Sequence, residues 1–171
     1  MPFGRLAILV LIGSGLMAAQ LFQNEGPGQS PGPVQVYEGV PTIRDGDNVN
    51  IDGVNIRLDN IDACELGQIA RQANHDFDCG IWARDRFRAL IGPRSVRCES
   101  SEIDIYDRPL ATCYVGEREI NRTLVDHGYV FLEDGSTVYR EARSEAQAGR
   151  RGIWLFETVE HPSDYRRAQR R

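Results

Sequence analysis

A chain of 171 residues, of which 41% are hydrophobic and 26% charged, is long enough for one globular domain with a substantial core. Its formal net charge of -5 excludes an overall basic field that would retain nucleic acid by counterion release. Any action on nucleic acid therefore requires a local site, and we expect a bound metal to contribute to it.

The first 23 residues differ in composition from the rest of the chain. Arg5 is the only charged side chain before an apolar run over residues 6–19. This pattern is typical of a secretory signal and short for a membrane-spanning helix, although an uncleaved N-terminal membrane anchor stays open. In both cases we expect the rest of the chain to be exported, to a periplasmic or secreted location.

The chain next shows a linker composition and, within the domain, four cysteines. Residues 24–33 are rich in Gly, Pro, Ser and Gln, which predicts a flexible linker before a domain over residues 34–157. The even number of cysteines favours disulfides in an oxidising compartment. Zinc ligation is disfavoured, because the sequence has neither a C-x-x-C pair nor a nearby pair of histidines.

The clearest secondary-structure signal is a hairpin over residues 49–58. Asp52 and Gly53 separate two segments in which apolar and polar residues alternate, and an Asp-Gly pair in this setting is a strong turn signal. The alternation predicts that Arg57 lies on the face opposite the apolar side chains. Arg57 is therefore expected to project from a strand.

The other predicted elements complete an α+β pattern. We expect strands over residues 34–37, 39–44, 95–98 and 110–115, a polar loop over 65–77, and helices over 79–91, 121–128 and 136–147. Asp78, Asn121 and Ser136 are the predicted N-caps of the three helices, and Gly92 ends the first. The predicted buried stripe of that first helix consists of Ile81, Trp82, Phe87 and Leu90.

The last segment, residues 158–171, is rich in arginine. Such a terminal run could contact phosphate or anionic lipid. A solvated, frayed basic tail is the interpretation that its composition favours.

Carboxylates and arginines around the predicted hairpin have the chemistry of a phosphodiester site. Asp47 and Asp62 offer hard oxygen ligands that suit calcium or magnesium. Glu65 follows Asp62 by three residues and could act as a general base. Arg57 and Arg108 could each bind phosphate oxygens in a bidentate manner.

These residues belong to a longer ordered series that resembles the staphylococcal nuclease-like (thermonuclease) family. The resemblance covers about residues 35–157, and its order and spacing are more specific than any single piece. The matching motifs are Asp45-Gly46-Asp47, Ile56-Arg57-Leu58, Ile61-Asp62-Ala63, Glu65, Gln68, Asp104-x-Tyr106-x-Arg108-x-Leu110-Ala111, Ile120-Asn121-x-x-Leu124-Val125-x-x-Gly128, Ser144-Glu145-Ala146-Gln147-Ala148 and Gly152-Ile153-Trp154.

The resemblance implies an α+β fold, namely a five-stranded OB-fold β-barrel with three helices. It implies Ca²⁺ held by the carboxylates of Asp47 and Asp62 and by the backbone carbonyl of Ala63. It also implies cleavage of the 5′ P–O bond of DNA or RNA, which leaves a 3′-phosphate. The implied roles of the other residues are Glu65 as general base, Arg57 and Arg108 as the phosphate clamp, and Tyr106 as a contact to the nucleotide.

The sequence departs from the family pattern at three places. Cys64 stands where the family usually has proline, and Asn48 where threonine is usual. Asp107 precedes Arg108 where a small glycine is common, and aspartate tolerates a left-handed backbone better than most residues. These changes affect the expected rate more than the expected chemistry, because all five key side chains are present.

Placed on the implied fold, the cysteines form two predicted disulfides. Cys98 and Cys113 lie in neighbouring strands that flank the Arg108 loop. Cys64 and Cys79 would join the Glu65 loop to the first helix.

The sequence therefore predicts an exported, calcium-dependent nuclease that is a monomer and attaches to the membrane if its N-terminal segment is retained. The alternative is a non-catalytic OB-fold module that binds nucleic acid or an envelope partner.

Overall fold

The computed structural model describes residues 33–171. The predicted export segment and nearly all of the predicted linker lie outside the described residues. Within residues 33–171, no helix is both long enough and apolar enough to cross a membrane.

Eleven strands, four α-helices and one 3-10 helix are formed by the described residues. The strands are β1 (Gln35–Gly39), β2 (Thr42–Ile43), β3 (Asn48–Ile51), β4 (Val54–Leu58), β5 (Ile61–Asp62), β6 (Ile69–Gln72), β7 (His75–Asp78), β8 (Val96–Ile103), β9 (Pro109–Val115), β10 (Arg118–Glu119) and β11 (Phe131–Leu132). The helices are α1 (Cys79–Ile91), α2 (Ile120–Asp126), α3 (Arg140–Ala148), the 3-10 helix (Gly152–Leu155) and α4 (Pro162–Gln169).

The main sheet curls into a half-barrel and confirms the predicted α+β, OB-like fold. Its strand order is β1-β8-β9-β4-β3-β2, with β10 paired to β9. Neighbours pair antiparallel except for β4 and β9, which are parallel. The sheet has seven strands where five were expected, because the short strands β2 and β10 extend the pairing. The fourth α-helix, α4, was not predicted.

The predicted hairpin is confirmed as β3 and β4. Asp52 and Gly53 both have positive φ, at 49° and 88°, which is the conformation that a two-residue turn of this kind requires. Ile56 and Leu58 are fully buried in the core, where they join Phe87 of α1. Burial of the alternate residues fixes the register, so Arg57 projects from the other face of the sheet.

Helix α1 begins and ends where the sequence predicted. The Asp78 carboxylate accepts a hydrogen bond from the Ile81 N–H at 2.8 Å, and Gly92 closes the helix with φ of 62°. The predicted stripe is only partly correct, since Phe87 is buried whereas Ile81 is 42% exposed. Small residues, including Ala83, face the core in its place.

Two local predictions, the polar loop and the start of the third helix, are wrong. The predicted polar loop contains the β6–β7 hairpin, whose turn is formed by Ala73 and Asn74 with φ of 50° and 63°. The turn contains no glycine that would have indicated it in the sequence. Helix α3 starts at Arg140, because the Ser136 hydroxyl bonds to the Asn60 side chain at 2.8 Å and does not cap a helix.

Asn121 also has another role than the predicted cap. Helix α2 begins one residue earlier, and the Asn121 side chain is completely buried. Its amide donates to the carbonyl oxygens of Asp59 and Ala111, both at 3.0 Å, and accepts from the Cys113 N–H at 3.0 Å. It therefore links α2 to the strands that carry the candidate site.

The predicted frayed tail is an ordered helix, α4. Pro162 occupies its first turn, where a missing N–H costs nothing. The His161 ring accepts from the Ser163 N–H through Nδ1 and lies 3.0 Å from the Leu132 carbonyl oxygen through Nε2. The start of α4 is therefore attached to β11.

Both predicted disulfides are present and all four cysteines are paired. Cys98 and Cys113 are direct partners in the β8–β9 register. Cys64 and Cys79 connect the segment before Glu65 to the first residue of α1.

Candidate active site

One cleft gathers most of the predicted site residues. It has a volume of about 540 Å³ and opens beside the β8–β9 loop. Asp62 does not line the cleft, because its side chain is only 1% exposed, but it contacts Arg57, which does. The predicted residues that line the cleft are Asp47, Arg57, Ala63, Glu65, Tyr106 and Arg108.

A tight turn after β2 places Asp47. The Asp45 carboxylate accepts from the Asn48 N–H at 2.8 Å and stabilises the turn. Gly46 is needed because a Cβ there would lie 2.6 Å from the Ala63 Cβ and 2.9 Å from the Ala83 Cβ. The turn is thus pressed against the start of the Glu65 loop and against α1.

The Asp47 carboxylate is buried and has three partners. It accepts from the Arg57 guanidinium at 3.1 Å, from the Ala63 N–H at 3.2 Å and from the Asn48 side chain at 2.6 Å. Burial raises the pKa of Asp47 to about 7, although Arg57 acts in the opposite direction. The neighbouring carboxylates of Asp45 and Asp62 raise this pKa further.

Asp62 is positioned by a separate pair of strands. It ends β5, which is held in place by antiparallel pairing with β11 through Phe131 and Leu132. Arg57 lies 3.5 Å from Asp62 as well as 3.1 Å from Asp47. One guanidinium therefore joins the two predicted metal-binding carboxylates.

Glu65 lies on a loop that has three attachments. Its N–H donates to the buried Gln68 side chain at 3.0 Å, and the Cys64–Cys79 disulfide fixes the preceding residue. Gly80 allows the Glu65 carbonyl to approach α1, since a Cβ there would lie only 2.3 Å from that oxygen. The Glu65 side chain itself is 41% exposed and faces the cleft.

Arg108 is positioned by the β8–β9 loop. Asp104 accepts from the Arg108 N–H at 2.9 Å and from its Nε at 2.7 Å. Asp107 adopts the left-handed conformation with φ of 60°, as the sequence led us to expect. The guanidinium also donates to the Asn48 side chain at 3.1 Å and lies 5.6 Å from the Tyr106 ring centroid.

The donor set fits a hard divalent cation. Asp47 and Asp62 are buried carboxylates that contact the same guanidinium, and oxygen donors of this kind suit calcium. No group of three acidic, histidine or cysteine side chains within residues 33–171 converges as a complete metal-binding set. A cation at Asp47 and Asp62 would therefore need backbone, water or substrate oxygens as its other ligands.

The sequence analysis missed Arg166, which α4 brings into the cleft. Its guanidinium bonds both carboxylate oxygens of Asp62 at 2.9 Å and Glu65 at 2.7 Å. The hydrogen bond to Asp62 raises the pKa of Arg166 above its already high ordinary value. A proline near the start, Asp164 in the first turn and arginines in the last turn were a sufficient signal for the helix. No local pattern reports the long-range contact.

An OB-like half-barrel with two buried carboxylates, one arginine on a strand and one on the adjoining loop defines a class of barrel proteins whose cleft suits phosphodiester chemistry. The chain belongs to the staphylococcal nuclease homologue family, which its residues 55–155 match. The match includes Arg57, Asp62, Glu65 and Arg108, but it ends before α4.

Two curated proteins are similar to most of the chain. A Rhizobium meliloti protein named "Succinoglycan biosynthesis protein ExoI" is 28% identical over 128 residues, which cover 72% of this chain and 67% of that protein. A Haemophilus influenzae protein named "Uncharacterized endonuclease" is 27% identical over 139 residues, which cover 77% of this chain and 73% of that protein.

Proposed function

We propose that this protein is a calcium-dependent nuclease that hydrolyses phosphodiester bonds of DNA or RNA and leaves 3′-phosphates. The observation that carries the proposal is the convergence of Arg57, Glu65 and Arg108 on one cleft above two buried carboxylates. Family membership and the relative named as an endonuclease support the same reaction class.

Asp47 and Asp62 would hold the calcium ion, together with the backbone carbonyl of Ala63. When bound, the ion would supply a positive charge that polarises the scissile phosphate. The burial of both carboxylates against a single guanidinium supports this assignment, because two buried negative charges favour a further cation.

The remaining groups divide the reaction between them. Glu65 would take the proton from a water that attacks phosphorus in line, and the bond from phosphorus to the 5′ oxygen would break. Arg57 and Arg108 would bind the equatorial phosphate oxygens, where negative charge develops. The exposed Tyr106 ring, next to Arg108, would lie against a base or sugar of the substrate.

We propose an extracytoplasmic location. The two disulfides support this part, because such bonds persist in oxidising compartments. Membrane attachment through residues 1–23 and a monomeric state remain predictions from the sequence.

The direct test is cleavage of 5′-labelled single-stranded DNA and RNA by the purified protein with its disulfides intact. Cleavage is expected in calcium and not in EDTA. The products should resist extension by a terminal transferase until a phosphatase removes the 3′-phosphate.

Two matched variants identify the base. Glu65→Gln should lose about 10²–10⁴-fold in rate, the usual contribution of a general base. Glu117→Gln is the control, since Glu117 is exposed in the turn before β10. Equal activity of Glu65→Gln and the wild type, or cleavage that does not depend on calcium, would reject the proposed mechanism.

A further inference from the structure

Helix α4 contacts two carboxylates of the proposed site through one side chain, Arg166. Arg166 binds Asp62 through two parallel N–H to oxygen bonds, the geometry in which an arginine grips a carboxylate most firmly. The same guanidinium bonds the Glu65 carboxylate. Arg166 thus contacts one proposed calcium ligand and the proposed base at the same time. Its guanidinium places a positive charge of the protein directly on the proposed calcium ligand.

The start of α4 is anchored separately from this contact. The buried Gln68 side chain donates to the Glu160 carbonyl oxygen at 2.7 Å, His161 lies against β11, and Pro162 is buried. The far end carries the exposed Arg167, Gln169 and Arg170. The helix therefore has a fixed end and an end that is held at the cleft mainly by Arg166.

Calcium and Arg166 would have to share the same two Asp62 oxygens in this arrangement. Calcium requires oxygen ligands at about 2.3–2.6 Å, whereas guanidinium nitrogens already lie 2.9 Å from each Asp62 oxygen. Two cations on one carboxylate at these distances would also repel each other in a partly buried site. Binding of one therefore opposes binding of the other.

We propose that Arg166 is a built-in competitor of the divalent cation, so that α4 holds the protein in a resting form and calcium releases the helix end from Asp62 and Glu65. The inference rests on the metal site of the proposed function, but not on any nuclease activity. In the resting form the competent population is reduced, and the apparent calcium affinity falls by the same factor.

The first test measures calcium binding by titration calorimetry on the full-length protein. Arg166→Gln should bind calcium about tenfold more tightly than the wild type, as removal of a competing conformation predicts. Arg170→Gln is the matched control: Arg170 lines the same cleft and carries the same charge, but no hydrogen bond of the described residues joins it to Asp62 or Glu65. Arg170→Gln should leave the affinity within about twofold of the wild type.

The second test needs no variant and follows amide hydrogen exchange of the wild type. Calcium should increase exchange in α4 beyond its first turn while β3 and β4 stay protected.

Equal calcium affinity of Arg166→Gln and the wild type, with α4 unchanged by calcium, would overturn this inference alone. A gain in affinity that Arg170→Gln reproduces would also overturn it, since the effect would then be one of net charge. If the wild type, Arg166→Gln and Arg170→Gln all fail to bind calcium, the proposed metal site would be overturned as well.

Discussion

The two walls of the cleft hold their charged side chains by different means. In the sheet wall, formed by β3, β4 and β9, Arg57 and Asn48 are direct partners in a strand register. In the C-terminal wall, formed by the Glu65 loop and α4, the attachments are a disulfide, one buried glutamine and the contacts of Arg166. A strand register moves only if the sheet breaks, whereas an ion pair at the edge of a cleft can exchange partners. The charged side chains of the sheet wall are therefore fixed in position, whereas those of the C-terminal wall can change partners.

The largest expected effect comes from the sheet wall. Arg57→Gln should lower the cleavage rate by about 10³–10⁵-fold, since an arginine that stabilises a transferring phosphoryl group contributes this much. Arg57→Lys should not restore the rate, because lysine lacks the planar fork. The measurement is the initial rate on labelled DNA in calcium.

Arg118→Gln provides the control for the loss of one positive charge from the same sheet, since Arg118 is exposed on β10. A loss below tenfold in Arg57→Gln would show that the sheet wall does not hold the reacting phosphate.

Each wall of the cleft is joined to one disulfide, so removal of the two disulfides in turn compares the walls. Both join cysteines 15 residues apart, so replacement of either pair by serine should lower the free energy of unfolding by about 3 kcal/mol. Urea denaturation checks this equality. Only Cys64→Ser with Cys79→Ser should also reduce the rate of the folded protein, by about 10²-fold, because it loosens the Glu65 loop. Equal rates for the two double variants would mean that the disulfide does not hold Glu65.

The smallest expected effect is a pH dependence in the sheet wall. Burial alone would raise the pKa of Asp104, but hydrogen bonds from Arg108 and from the Tyr106 N–H lower it below its ordinary value. A lowered native pKa stabilises the fold above about pH 4, and this contribution is lost as the pH falls through the native value.

Asp104→Asn should therefore cost about 0.5 kcal/mol at neutral pH, as for a partly exposed ion pair. The difference from the wild type should shrink on acidification to about pH 3. Thermal unfolding at several pH values measures it. A difference that grows in acid would contradict the role of Asp104 as the ionised partner of Arg108.

Local signals in the sequence were sufficient for the elements that carry the sheet wall. The Asp52-Gly53 turn and the alternation around Arg57 define β3 and β4, and the Asp78 cap defines α1. The resemblance to the family supplied the pairing of these elements with the Arg108 loop. The grouping of Asp47, Arg57, Glu65 and Arg108 in one cleft could therefore be anticipated.

The C-terminal wall could not be anticipated in the same way. The sequence of α4 contains helix signals, but the partner of Arg166 lies 104 residues away in the chain. Its arginines also resemble a basic tail when they are considered alone. The turn at Ala73 and Asn74 was missed for a related reason, because left-handed residues without glycine leave little trace in composition.

The parallel pairing of β4 with β9 has a consequence for how the protein matures. It joins Arg57 to Leu110 and Leu58 to Ala111, and Arg108 reaches Asn48 across 60 residues of chain. Contacts between such distant segments carry a loop-closure cost, so we expect them to form after the local helix and hairpins. We expect the phosphate clamp to be among the last parts of the molecule to assemble. A newly made chain would then carry separate arginines and carboxylates, and the proposed activity would appear only after folding.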